Sequence, residues 1–198
     1  MEAASRHPTG ETRMEILTSE IPEVLILEPA LSGDARGFFT ELYQSQRYAA
    51  AGIDQIFVQD NLSRSKKGVL RGLHLQNPQP QGKLVSVLRG TVLDVAVDVR
   101  EGSPTFGHHV KVELSEHNRR QFWVPRGFAH GFVVLSNSAD LFYKCDALYS
   151  PADEVVLRWN DPALAIDWGC AAPSISNRDS AGLTLAELTG RLPVYGQV

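Results

Sequence analysis

Cysteine is nearly absent from this chain. Cys145 and Cys170 are the two among 198 residues, they lack metal-ligand spacing, and they read as small buried hydrophobes rather than as a disulfide. Long apolar runs are missing as well, since none approaches the roughly 20 residues a helix needs to cross a bilayer. The stretch from Met1 to Pro8 lacks the apolar segment of a signal peptide, so the expectation is a cytoplasmic protein with no membrane partner. Nor is there a surplus of positive charge. Lys and Arg together number 19 against 23 acidic residues, a net charge of −4, which provides no broad basic field for nucleic acid. An anionic ligand would have to be held by a few local cations.

What is present is a globular composition: 43% hydrophobic residues are enough for a sizeable core. Residues 1–13 are polar and unpatterned and are expected to form a disordered tail, leaving 14–198 as a single domain. Val24 to Leu27 reads as a strand, and the turn Ser32 to Gly37 returns into Phe38 to Leu42. A short helix is expected from Ser45 to Ala51, stopped by Gly52. Phe57 to Leu62 reads as a strand with Gln59 and Asn61 on one face.

From Thr91 to Val99 the chain alternates, with Leu93, Val95, Val97 and Val99 on one face and Asp94, Ala96 and Asp98 on the other. That second face is expected to meet water or a polar cavity. Further short strands follow at His109 to Leu114, Gln121 to Val124, Phe128 to Leu135 and Leu141 to Cys145, separated by Gly, Pro, Asn and Asp. So many short strands with so little helix predict an all-β fold, an antiparallel jelly-roll barrel with short peripheral helices. From about Ser150 turns dominate, with a small helix near Leu183 to Leu188, and this tail is expected to wrap the barrel.

The densest set of reactive side chains lies in Val69 to Val85, where Arg71, His74 and Lys83 flank the Asn-Pro-Gln-Pro-Gln-Gly turn. The expectation is that two adjacent strands of a hairpin deliver all three. Pro125-Arg126-Gly127-Phe128-Ala129-His130 has the Pro-x-Gly-x-x-His pattern of the second half of a cupin signature. A metal-binding cupin would place His-x-His in the first half, where this chain has His74-Leu75-Gln76. Gln is a poor ligand for a divalent transition metal and a cationic Lys83 nearby opposes one, so no metal and no other cofactor is expected.

Taken in order, Asp34-Ala35-Arg36-Gly37-Phe38-Phe39-Thr40-Glu41, Gln59-Asp60-Asn61, Arg71-Gly72-Leu73-His74, Gln81-Gly82-Lys83, Asp94 to Arg100, Ser103 to Gly107, Pro125 to Phe132 and Tyr143-Lys144 resemble the dTDP-4-dehydrorhamnose 3,5-epimerase family. The resemblance extends from about Ile16 to Asp179. It implies a metal-free cupin homodimer that epimerises dTDP-4-keto-6-deoxy-D-glucose at C3 and C5. It also implies that the Ile16 to Leu42 segment reaches across to a partner copy.

The residues suit that chemistry. Protons at C3 and C5 are acidified by the C4 carbonyl, and inversion needs removal on one face and return on the other. His74 is the natural base, Tyr143 on a facing strand a suitable acid, and Lys83 would meet the oxyanion. By resemblance, Asp179 pairs with His74 and Asp94 orients His130. Arg36, Arg71 and Arg178 could meet the diphosphate or nucleotide, because guanidinium forks match phosphate. Gln59 and Asn61 suit phosphate and base contacts, and Phe39 lies on the same extended segment as Arg36 and Glu41. By resemblance, Glu41 and Glu154 contact the nucleotide or the partner-side ligand and Tyr149 stacks on thymine. Each of Asp94, Tyr143 and Asp179 alone could be an ordinary structural residue; their joint placement favours a site. Alternatives are an epimerase acting at C3 or C5 only, a non-catalytic nucleotide-sugar-binding cupin, and a metal-dependent cupin oxygenase, which Gln76 disfavours.

Overall fold

The computed structural model describes residues 14–198, and the disorder expected for residues 1–13 lies outside them. β1 (Glu15–Leu17) and β2 (Leu25–Glu28) pair antiparallel, and β3 (Leu31–Asp34) and β4 (Gly37–Thr40) form a separate hairpin turning at Ala35-Arg36. The helix α1 (Ser45–Ala50) is capped by the Gln44 side chain, which accepts from the Arg47 amide at 2.7 Å. Gly52, at φ +93°, adopts the left-handed conformation just past its end.

Eight strands follow: β5 (Gln59–Lys66), β6 (Leu70–Gln76), β7 (Lys83–Arg89), β8 (Thr91–Asp98), β9 (His109–Ser115), β10 (Gln121–Val124), β11 (Phe128–Val134) and β12 (Ser138–Cys145). After them come β13 (Glu154–Val156), α2 (Asn177–Ser180) and α3 (Leu185–Leu188). All ladders are antiparallel. One sheet runs β1-β2-β10-β7-β12-β5 and the other β13-β6-β11-β8-β9.

The two sheets face each other across a core in which Val85, Phe122 and Leu141 from the first meet Val92, Val112, Phe128 and Phe132 from the second. Truncating a ring as buried as Phe122 or Phe128 to Ala costs about 3–5 kcal/mol, so this layer holds the sheets in place. The fold is the expected cupin-type jelly roll, with one correction: the sheets stay open at their edges and do not close into a barrel. The C-terminal segment wraps the sandwich as expected, packing Leu157, Leu164, Trp168, Leu185 and Leu188 onto Leu73, Leu75, Val95 and Val97 of the second sheet's outer face. Tyr48 of α1 and Ile53 cover Leu27, Leu84 and Trp123 on the other outer face.

Two expectations need correction. β6 and β7 are not partners in a hairpin: β6 pairs with β11 and β13, whereas β7 pairs with β10 and β12, so the Asn77–Gly82 connection crosses from one sheet to the other. Asp98 meets neither water nor a cavity. It is fully buried, takes both arms of the Arg100 guanidinium at 2.8 Å, and accepts from Ser103 and Thr105. Arg100 in turn lies over the rings of Phe128 and Tyr195, at 4.5 and 4.9 Å from their centroids, which ties the C-terminus to the sandwich.

Candidate active site

Strict alternation along β6 would place Arg71 and His74 on opposite faces. A bulge changes this. His130 of β11 stands opposite His74 while Phe132 stands opposite Arg71, so β6 carries one residue more than its partner between those points. The extra residue falls at Gly72-Leu73. Leu70, Leu73 and Leu75 then face the outer core, while Arg71 and His74 both face the space between the sheets. Only glycine fits at position 72: φ is +120°, and an added Cβ would come within 2.7 Å of Gly131 Cα and of the His130 carbonyl oxygen.

The cavity so formed has a volume of about 150 Å³. The second sheet contributes Arg71, His74 and His130, the first contributes Lys83 and Tyr143, and Arg178 enters from α2. Ser63, Phe132 and Leu141 complete the wall. Ser63 belongs to none of the motifs above, and the signal that finds it is the parity it shares with Gln59 and Asn61 on β5. A larger hollow of about 530 Å³ beside α1, lined by Tyr43, Ile53, Phe57 and Lys144, brings together no comparable set of proton-transferring groups.

Two His–Asp pairs stand side by side. His74 Nε2 lies 2.6 Å from Asp179 Oδ1 and His130 Nε2 lies 2.7 Å from Asp94 Oδ1. A carboxylate can only accept, so Nε2 of His74 donates to Asp179; in a neutral ring that arrangement leaves Nδ1 with the lone pair. The two acids differ. Burial works to raise Asp179, but the hydrogen bond and charge of His74, with Ser176 and Arg178, hold it below the ordinary carboxylate range. Burial pushes Asp94 up despite His130, and its Oδ2 is buried without a partner.

Lys83 is buried, and burial pulls its ammonium below the ordinary lysine range; burial also raises the Tyr143 phenol. Lys83 opposes Cys145 and Val85 opposes Tyr143 on paired strands, which puts Lys83 and Tyr143 on one face. Both cysteines are free, with Cys145 fully buried and its thiol pushed up to about 11 by burial.

A cupin metal does not fit these residues. Gln76 spends its amide on the backbone of Gln79, Leu148 and Ser150, both imidazoles have one nitrogen engaged by a carboxylate, and Lys83 places a cation in the same space. Among the described residues no cluster of three or more His, Cys, Asp or Glu side chains has ligand geometry.

The sequence profile of the dTDP-4-dehydrorhamnose 3,5-epimerase family matches residues 18–187. The chain belongs to this family. The epimerase of that name from Pseudomonas aeruginosa is 52% identical over 84% of this chain and 93% of its own length. One from Neisseria gonorrhoeae is 50% identical over 88% of this chain, which spans 53% of that relative. The crystal structure of the Legionella pneumophila dTDP-6-deoxy-D-glucose-3,5-epimerase, in complex with dTDP-4-keto-L-rhamnose, superposes with a TM-score of 0.90 at 54% identity. It covers 92% of this chain and 99% of that one.

Within this epimerase-family fold, the other sequence-selected residues fall in two places. Gln59 and Asn61 lie together on β5, with the Gln59 amide donating to Asn61 at 3.0 Å. Nearby, Glu154 accepts from Arg178 at 2.6 Å and from the Tyr149 phenol at 3.3 Å, which links the cavity wall to an exposed aromatic ring. Arg36, Phe39 and Glu41 are away from the cavity. Arg36 is forked on Asp34 in the β3–β4 hairpin, Glu41 is paired with Arg47 at 2.8 Å, and Phe39 is 73% exposed.

Proposed function

We propose that this protein epimerises dTDP-4-keto-6-deoxy-D-glucose at C3 and C5, giving dTDP-4-keto-L-rhamnose. The observation that carries the reading is the projection of His74 and Tyr143 from opposite sheets into one cavity that also holds Lys83. A sugar ring between the sheets has His74 on one face and Tyr143 on the other. Asp179 holds His74 in the tautomer whose Nδ1 takes the α-proton. The electrons move into the carbonyl, and the Lys83 ammonium meets the resulting oxyanion at C4. One such donor is typically worth about 3–4 kcal/mol of transition-state stabilisation. Tyr143 then delivers a proton to the opposite face; His74 gives its proton to solvent water and Tyr143 takes one back from it, and the sequence repeats at the second carbon. His130, fixed by Asp94, lines the cavity beside His74 and positions the ring. Catalysis on this reading needs no metal and no other cofactor.

The nucleotide end is assigned to Arg71, Arg178, Gln59 and Asn61, with Tyr149 stacking on the base and Glu154 orienting Tyr149 and Arg178. Arg36, Phe39 and Glu41 serve a second copy of the chain in a homodimer. The β3–β4 hairpin that carries Arg36 and Phe39 exposes Leu31, Phe38 and Phe39, β5 is an edge strand, and Leu62 on it and Ile56 and Val58 just before it are more than half exposed. A symmetric partner would cover these and bring the hairpin to the other subunit's nucleotide. A cytoplasmic site of action fits this role, and none of the described helices is long and apolar enough to cross a membrane.

Proton NMR of the 4-keto sugar nucleotide with the protein in deuterated water tests the reading. Loss of signal at both C3 and C5 with appearance of the L-configured product is expected. Exchange at one carbon reassigns the protein as a single-position epimerase, and binding with exchange at neither removes the catalytic reading.

A further inference from the structure

Residues 146–150 lead from β12 toward β13 and form no strand, yet each of them is held by another part of the chain. Asp146 accepts from the Gly82 amide at 2.7 Å and from Arg126 at 2.9 Å. The Ala147 carbonyl accepts from the Gln81 amide at 2.6 Å. Gln76 reaches the segment twice, donating to the Leu148 carbonyl at 3.3 Å and accepting from the Ser150 amide at 2.9 Å. The Tyr149 amide donates to Gln59 at 2.9 Å.

Leu148 and Tyr149 are 67% and 46% exposed, so these tethers do not serve to bury the side chains they flank. A loop that only connects two strands would leave such backbone groups to water. Here Gln76 and Gln81, 4% and 6% exposed, have their amides removed from water, and every side-chain bond of Gln81 and two of the three of Gln76 go to this segment. Neither residue lines the cavity. Five residues of one loop are thus held in place, and of its two exposed side chains, Leu148 and Tyr149, it is Tyr149 whose phenol reaches Glu154 and through it Arg178.

We propose that Gln76 and Gln81 are positioning residues for Tyr149: they fix where its ring meets the nucleotide, and so set affinity for the dTDP end of the substrate without a part in proton transfer. This rests on the reading of Tyr149 as the base-stacking residue.

The test replaces each glutamine by methionine, which keeps the length and removes the hydrogen bonds, and compares Gln76→Met, Gln81→Met, Tyr149→Ala and the Gln76→Met/Tyr149→Ala double variant. Steady-state kcat and KM are measured together with inhibition by free dTDP. Losing the two bonds to the loop should raise KM and the dTDP inhibition constant about tenfold in Gln76→Met, and losing the one bond less in Gln81→Met, with kcat within about twofold. Tyr149→Ala should raise both constants at least as far, and adding Gln76→Met to it should raise them no further, because the glutamine acts only through the ring. A Tyr149→Ala protein with parental KM overturns the stacking reading, and the inference falls with it. A raised KM in Tyr149→Ala with parental KM in both glutamine variants, additive effects in the double variant, or a fall in kcat in place of a rise in KM overturns the positioning role alone. Should Gln76→Met fail to fold, Gln81→Met, which loses a single bond to Ala147, meets the same criteria.

Discussion

Gly72→Ala isolates the feature on which the cavity depends. The new Cβ meets Gly131 Cα and the His130 carbonyl at 2.7 Å, both of them backbone atoms of the neighbouring strand, which cannot rotate away. A non-glycine residue held at positive φ costs about 1–3 kcal/mol. Forcing a methyl into a packed contact adds about 1–3 kcal/mol, so a loss near 4 kcal/mol is expected. Gly68→Ala provides the control, since Gly68 has φ +76° and nothing within 4 Å of an added Cβ; it should carry the conformational cost alone. Urea unfolding should show a much larger fall in midpoint for Gly72→Ala than for Gly68→Ala, at similar slope. If the strand instead relaxes by losing the bulge, Arg71 leaves the cavity and His74 shifts; a misplacement of about 1 Å can cost roughly 100-fold in kcat/KM. A Gly72→Ala protein as stable as Gly68→Ala and with parental kcat/KM would refute the account of how Arg71 and His74 come to share one face.

Burial pulls Lys83 below its ordinary 10.5, so the alkaline limb of kcat against pH should fall below the range of a free lysine as the ammonium is lost. At this group the unfolded chain binds more protons between the lowered folded pKa and 10.5, so stability should rise with pH across that window while activity falls; a kcat that stays flat to pH 10.5 contradicts the assignment. Prolonged chelator treatment should leave turnover unchanged, and activity that collapses and returns with zinc, iron or manganese would overturn the metal-free reading. Light scattering at micromolar concentration should give twice the 21.8 kDa chain mass, and a monomer would leave Arg36, Phe39 and Glu41 outside any site.

Much of this architecture is legible in the residues because strands and turns leave local marks. The alternation of Thr91 to Val99 and the apolar block Gln121 to Val124 emerge as β8 and β10 with nearly the expected bounds. Which strands become neighbours is a non-local property, and that is why Arg71, His74 and Lys83 read as one hairpin when β6 and β7 belong to opposite sheets. The difference matters chemically, since facing sheets put Lys83 and Tyr143 across the cavity from His74. β1 and β13, three residues each, are too short for a period of two to register. The turn α2 did carry a signal: Ser176-Asn177-Arg178-Asp179 spaces a capping Ser three residues before an acid, and the Asp179 amide does donate to Ser176 at 3.0 Å. That cap fixes Asp179 in the single turn of α2, from which it reaches His74. Asp98 has the pattern of a polar-face carboxylate because parity cannot distinguish a cavity from a dry ion pair.

The division of labour between the two sheets is tested most directly by Tyr143→Phe, followed by deuterium incorporation in the 4-keto sugar and by its stereochemistry after trapping through reduction. Removing the phenol deletes the donor on one face while His74, Asp179 and Lys83 remain. Solvent deuterium should therefore still enter, with retained configuration and at a reduced rate, and inversion should fail. His74→Ala should abolish both exchange and inversion. A Tyr143→Phe protein that inverts C3 and C5 at close to the parental rate would remove the opposed pair from the mechanism and leave Tyr143 as a residue of the core.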